Sequence, residues 1–197
     1  MHRIVLASGN KGKLREFNQM FAALRMQVLP QQEFNVPEAE ETGLSFVENA
    51  ILKARNAAAH TGLPALADDS GIEVDALRGA PGIYSARYAG PGASDAANLQ
   101  KLLDDLEEVP DERRTGRFQC VIVYLRHARD PVPLIAQGAW EGKILCEPTG
   151  ENGFGYDPIF FVPTHGCASA ELPPEEKNRL SHRGIALRTL AGQLNGH

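Results

Sequence analysis

The chain has 197 residues, 43% of them hydrophobic, and a formal net charge of −5. That is enough apolar material for one sizeable core, and the acidic balance argues against a bulk nucleic-acid binder, whose footprint is basic. Cys120, Cys146 and Cys167 are far apart and odd in number, so neither a zinc site nor a disulfide framework is expected, and reduced thiols in a cytoplasmic protein fit best.

Ile4 to Ala7 form a continuous apolar run that predicts a buried strand. The run is too short for a signal peptide, and no stretch approaches transmembrane length. Ser8-Gly9-Asn10-Lys11-Gly12-Lys13 follows, and Leu14, Phe17, Phe21 and Leu24 then recur at helical spacing. Strand, polar loop and helix are therefore expected. Backbone N–H groups and the helix dipole at such a loop attract a phosphate, and the lysines add charge. The spacing is not that of a Walker A loop, and a plain strand–helix connection with solvated lysines reads equally well. Met26 to Leu29 predicts a second short strand, ended by Pro30. Ser45-Phe46-Val47-Glu48 matches a capping box. It opens a helix with Phe46, Ala50, Ile51, Ala54 and Ala58 inward and with Asn49 and Lys53 one turn apart on another face. Glu41, just before the cap, reads either as a metal ligand or as a charge favouring the dipole.

Ala65-Leu66-Ala67-Asp68-Asp69-Ser70-Gly71 ends an apolar run in two carboxylates, a hydroxyl and a glycine. It predicts a strand that stops at a turn, with a second strand over 72–77. Neighbouring carboxylates repel unless a positive group compensates, often a divalent cation. Asp68 and Asp69 are thus candidates for a magnesium and general-base site; the competing reading is a solvated acidic turn. Residues 79–88 read as a loop punctuated by Gly and Pro. Ser94 is expected to cap a helix burying Leu99, Leu102, Leu103 and Leu106. Phe118 to Leu125 is the strongest strand and is expected at the centre of a sheet. Leu134–Trp140 and Gly142–Cys146 read as a second strand pair, and Ile159 to Val162 as the last strand. A helix start is expected at Pro173-Pro174, and a helix with Leu187, Leu190 and Leu194 follows.

Five polar clusters, at 8–13, 41–53, 68–70, 154–157 and 177–183, stand near predicted element ends. Those at 8–13, 41–53 and 177–183 carry lysine or arginine, and those at 41–53, 68–70 and 154–157 carry carboxylates, the combination a triphosphate with magnesium needs. In order, Ser8-Gly9-Asn10-Lys11-Gly12-Lys13, Glu41-Thr42-Gly43, Glu48-Asn49-Ala50, Lys53-Ala54, Ala67-Asp68-Asp69-Ser70-Gly71, Gly79-Ala80-Pro81-Gly82, Phe154-Gly155-Tyr156-Asp157-Pro158 and Ser181-His182-Arg183 resemble the inosine triphosphate pyrophosphatase family, of the Ham1 or RdgB type. Each motif alone is weak, but the ordered set is specific and covers nearly the whole chain.

The resemblance implies an α/β fold: an elongated mixed central sheet flanked by helices, one nucleotide-pyrophosphatase domain over 1–197 with two lobes around a nucleotide cleft, usually as a homodimer. It implies hydrolysis of dITP, ITP and XTP or dXTP to the monophosphate and pyrophosphate, with magnesium. By the same resemblance Ser8, Gly9, Asn10, Lys11, Gly12, Lys13 and Lys53 hold the phosphates, and Glu41 and Asp69 hold the metal. Asp69, with Asp68 beside it, deprotonates the attacking water, and Ser70 contacts substrate. Phe154 offers a face to the purine, Gly155, Tyr156 and Asp157 frame the nucleoside, and Lys177, His182 and Arg183 meet the base edge. A donor-lined site accepts the 6-keto oxygen of hypoxanthine or xanthine and is mismatched to the 6-amino group of adenine. A Maf-like pyrophosphatase for other modified nucleotides and a non-hydrolytic nucleotide-binding protein are the competing readings.

Overall fold

The computed structural model describes residues 2–22 and 25–195; Leu24, expected on the inner face of the first helix, lies outside them. Strands β1 (His2–Leu6), β2 (Met26–Pro30), β3 (Ala65–Val74), β4 (Thr115–Leu125), β5 (Leu134–Ile144), β6 (Phe160–Val162) and β7 (Cys167–Ala168) are hydrogen-bonded in the order β2-β1-β3-β4-β5-β6-β7. β1 is parallel to β2 and β3, whereas β6 is antiparallel to β5 and β7, so the sheet is mixed. The helices are α1 (Lys11–Phe21), α2 (Phe46–Thr61), α3 (Asp95–Asp105), α4 (Pro174–Leu180) and α5 (His182–Asn195). No helix among the described residues is long and apolar enough to cross a membrane.

The chain forms two compact units, one of residues 1–69, 120–137 and 185–197 and one of residues 70–119 and 138–184. In the first unit, strand alternation sorts the core into two faces. Ile4, Leu6, Leu66, Cys120 and Ile122 pack with Phe17 and Phe21 of α1 and with Ala186, Leu187 and Leu190 of α5. Val5, Ala7, Ala65, Ala67, Val121 and Val123 pack with the alanine face of α2. Phe17 and Phe21 are fully buried, and each such burial is worth about 1.5–3 kcal/mol. In the second unit one cluster joins Ile72, Val74, Phe118, Trp140, Phe160 and the α3 leucines Leu99 and Leu102.

Three expectations about strands are corrected. β3 does not stop at Asp68-Asp69; it runs unbroken from Ala65 to Val74, because lysines meet both carboxylates and remove the reason to turn outward. β5 is likewise one strand rather than two. A Cβ at Gly142 would lie 2.5 Å from the Phe160 ring and from the Phe161 carbonyl, so the glycine admits β6. Finally, β6 is followed by the two-residue β7, which carries no local signal.

α2, which bears Lys53, is secured at its N-terminus and again past its middle. Ser45 caps it, and Glu48 Oε2 accepts from Ser45 Oγ at 2.6 Å and from the Leu44 N–H at 3.0 Å. Arg55 donates to the carbonyls of Ala128 and Asp130 at 2.6 and 3.1 Å, tying α2 to the β4–β5 connection. Asp130 is buried and accepts from the Arg126 side chain and from the N–H groups of Arg126 and Val132. The Arg126 guanidinium holds its carboxyl well below the usual range. A depressed folded-state pKa contributes stability above the unfolded value of about 4 and loses it on protonation. Asp130→Asn is therefore expected to lower the urea midpoint at pH 7, with the gap to the parent narrowing only below about pH 4. Equal gaps at pH 7 and pH 3 would refute this role.

Candidate active site

β1 stands between β2 and β3, so the chain reverses direction across the sheet at the β1–β3 pair. Parallel α/β sheets bind ligands beyond the carboxyl ends of strands at such a switch point. The register Val5↔Ala65 and Leu6↔Leu66 brings the loop after β1 to the same end of the sheet as Asp68 and Asp69. There Ser8 Oγ accepts from the Asn10 N–H at 3.2 Å, and Asn10 Oδ1 accepts from the N–H groups of Gly12 and Lys13 at 2.8 and 3.1 Å. Asn10 is thus the N-cap of α1. Two helix N–H groups expected to face a phosphate are occupied by this cap, which leaves the lysine charge as the loop's main attraction for one. Gly9 is exposed backbone in this loop; the Lys11 side chain lies outside the described atoms.

Strand alternation separates the two aspartates. Asp68 falls on the α1 face and forms an ion pair with Lys13, 2.8 Å from Nζ to Oδ2. Asp69 falls on the α2 face, where Lys53 Nζ lies 2.8 Å from its Oδ1 and 3.2 Å from Glu41 Oε1. Lys53 therefore gathers the two expected metal ligands on one ammonium. Burial works against its charge, but Asp69, Asp68 and Glu41 outweigh it and hold the ammonium above its ordinary range. Burial dominates at Asp69 and pushes its carboxyl up, against the pull of Lys53. A carboxylate of raised basicity suits proton abstraction.

A cavity of about 160 Å³ is lined by Ala7, Ser8, Gly9, Gln31, Glu41 and Lys53, with Glu38 and Ala39 at its wall. Asp69 meets it through Lys53 rather than lining it. Asp69 Oδ2 is buried without a hydrogen-bond partner among the described residues. Magnesium takes oxygen ligands and is commonly held by one or two protein carboxylates, with substrate oxygens and water completing the octahedron. An unmet carboxylate oxygen with a second carboxylate nearby fits that need. Among the described residues no three or more His, Cys, Asp or Glu side chains gather as a ready-made metal cage.

The second unit brings Phe154, Asp157 and Lys177 together. Asp157 is buried; its Oδ2 accepts from Lys177 Nζ at 2.5 Å and from the Phe154 N–H at 2.8 Å, and its Oδ1 from Ser169 Oγ at 3.0 Å. Gly153 makes this possible: its φ is +82°, and a Cβ would lie 2.2 Å from Asp157 Oδ2. The Phe154 ring is 60% exposed, with the Lys177 ammonium 5.2 Å from its centroid. It is a presented aromatic surface rather than core. Gly155 donates to Asp95 at 3.0 Å, and the buried Tyr156 donates its hydroxyl to the Ser85 carbonyl at 2.7 Å. Ser70 is half-buried on β3. His182, buried at the start of α5, stacks on Phe118 with ring centroids 4.8 Å apart; Arg183 beside it is also buried.

Sequence reasoning missed Asp95, Phe118 and Ser169, each of which anchors an expected base-site residue. All three look local: a helix first turn, a strand apolar position and a short polar step. Their partners lie 60, 64 and 12 positions away, so no spacing signal could have shown them.

With this geometry in hand, three comparisons bear on the chain. The Ham1 family model matches residues 4–193. A protein from Thioalkalivibrio sulfidiphilus (strain HL-EbGR7) named dITP/XTP pyrophosphatase is 64% identical over 98% of this chain and 99% of its own. One of the same name from Escherichia coli O157:H7 is 59% identical over 98% of both. Among solved structures, a HAM1 protein from Coxiella burnetii superposes with a TM-score of 0.96 at 54% identity, covering 100% of both chains.

Proposed function

The chain belongs to the Ham1 family, and from that premise we propose that it hydrolyses dITP, ITP and XTP or dXTP to the nucleoside monophosphate and pyrophosphate, clearing deaminated purines from the nucleotide pool. It is a nucleoside-triphosphate pyrophosphatase. What supports the residue-level reading is the Lys53 ammonium, joined to both Glu41 and Asp69 at the wall of a cavity that also carries Ser8. Lys53 and Lys13 attract the phosphates, and Asp68 holds Lys13 in place. Glu41 and Asp69 hold the magnesium ion. When bound, the ion neutralises phosphate charge and eases displacement at phosphorus. Asp69 takes a proton from water as the new P–O bond forms and the anhydride bond between the α and β phosphates breaks. In the second unit Phe154 offers its ring to the purine, and Lys177, His182 and Arg183 read its edge.

The protein works in the cytoplasm, where its substrates are made; its three cysteines are free thiols, as that compartment keeps them. Its assembly is a homodimer. The net charge of −5 argues against a nucleic-acid partner.

A panel of ITP, dITP, XTP, GTP, ATP and dUTP with magnesium, read for pyrophosphate against phosphate, tests the reading. Pyrophosphate is expected from the first three at rates far above the others, with activity lost in EDTA and restored by excess magnesium. Preference for a pyrimidine, or tight ITP binding without pyrophosphate release, would overturn the proposal.

A further inference from the structure

Asn49 is fully buried in α2, one turn before Lys53. Its neighbours on the buried side, Ala50, Ala54, Ala57 and Ala58, are good helix formers, whereas asparagine is a poor one. Its amide makes one useful bond: Oδ1 accepts the Gly43 N–H at 2.8 Å. The other end, Nδ2, is buried without a hydrogen-bond partner among the described residues. A buried donor left unmet is a cost, so the side chain is kept for its acceptor.

That acceptor fixes the loop carrying Glu41. Gly43 is pressed against α2 so closely that a Cβ would lie 2.5 Å from Glu48 Cβ and 2.7 Å from Asn49 Oδ1. The next amide, Leu44, is held by Glu48 Oε2 at 3.0 Å. Two successive backbone N–H groups are therefore tied to the helix, and Glu41 stands two residues upstream with its Oε1 3.2 Å from Lys53 Nζ. α2 thus supplies Lys53 directly and orients Glu41 at one remove.

We propose that Asn49 is a positioning residue for the Glu41 carboxylate and, through it, for the divalent cation. This rests on the reading of Glu41 as a metal ligand. Groups that orient a ligand from behind are commonly worth 10–100-fold in metal affinity.

The test uses the full chain without nucleotide, with Mn²⁺ as the probe and free Mn²⁺ followed by electron paramagnetic resonance. Asn49→Ala is expected to weaken Mn²⁺ binding by about tenfold and to speed amide hydrogen exchange at Gly43 while the α2 amides stay protected. Asn49→Asp keeps the acceptor oxygen and is expected to restore protection at Gly43 and most of the binding; it also serves if the alanine variant folds poorly. Glu41→Ala is the control and should lose binding at least as severely. If Glu41→Ala loses binding but Asn49→Ala stays within about twofold of the parent, the positioning role is wrong while the metal reading stands. If Glu41→Ala itself binds like the parent, the metal reading falls and takes this inference with it.

Discussion

Asp69→Asn is expected to lower kcat by about three orders of magnitude, the scale of losing a positioned general base, while leaving nucleotide binding measurable. The substitution is isosteric. The amide oxygen can still accept from Lys53, which lies 2.8 Å from Oδ1, and Glu41 remains beside the same ammonium. The fold should not suffer. Burial raises the folded-state pKa of Asp69 above its ordinary value despite Lys53. A raised acid contributes stability below its unfolded pKa and loses that contribution as pH rises through the folded one. At neutral pH the neutral amide removes the cost of burying that charge, but it also removes the largest attraction on the Lys53 ammonium and leaves Asp68 and Glu41 to hold it. The expected signature is a collapse of turnover with a thermal midpoint at pH 7 close to the parent's. Unchanged turnover would remove Asp69 from the chemistry; a fall in both turnover and midpoint would make it a structural residue.

The structure also explains why this aspartate pair was legible and its setting was not. Asp, Ser and Gly are turn formers on local evidence, so 68–71 reads as a strand end. The lysines that make an extended path tolerable are Lys13 and Lys53, 55 and 16 positions earlier. Once β3 continues, alternation assigns the pair to opposite faces, giving Asp68 to Lys13 and Asp69 to Lys53. That separates in space two residues which local pattern alone left as neighbours and to which only the resemblance gave different tasks. Patterns confined to one element survived: the Ser45–Glu48 cap, the alanine face of α2 and the central β4. What the sequence concealed was pairing at a distance, such as Phe160 filling the space that Gly142 leaves, or Phe118 under His182.

The same concealment governs the second large effect, at Arg183. Truncating it to alanine looks like a clean test of base readout if the side chain is on the surface. It is 8% exposed, so alanine would also empty a packed volume and confound specificity with stability. Arg183→Gln keeps most of the length and two N–H donors while removing the charge and the five-donor fork. The adjacent His182 is already held against Phe118 at 4.8 Å, so the local frame should stay in place. Kcat/KM for ITP is expected to fall by about 10- to 100-fold, the scale of losing a directed contact in a site built to hydrogen-bond its substrate. Kcat/KM for ATP should barely change, because adenine presents a donor where hypoxanthine presents an acceptor and gains nothing from the guanidinium. Discrimination is then lost from the ITP side, without gain for ATP. If both specificity constants fall together, Arg183 serves the packing of α5 and the base is read by other groups, with Lys177, already set over the Phe154 ring, as the next candidate.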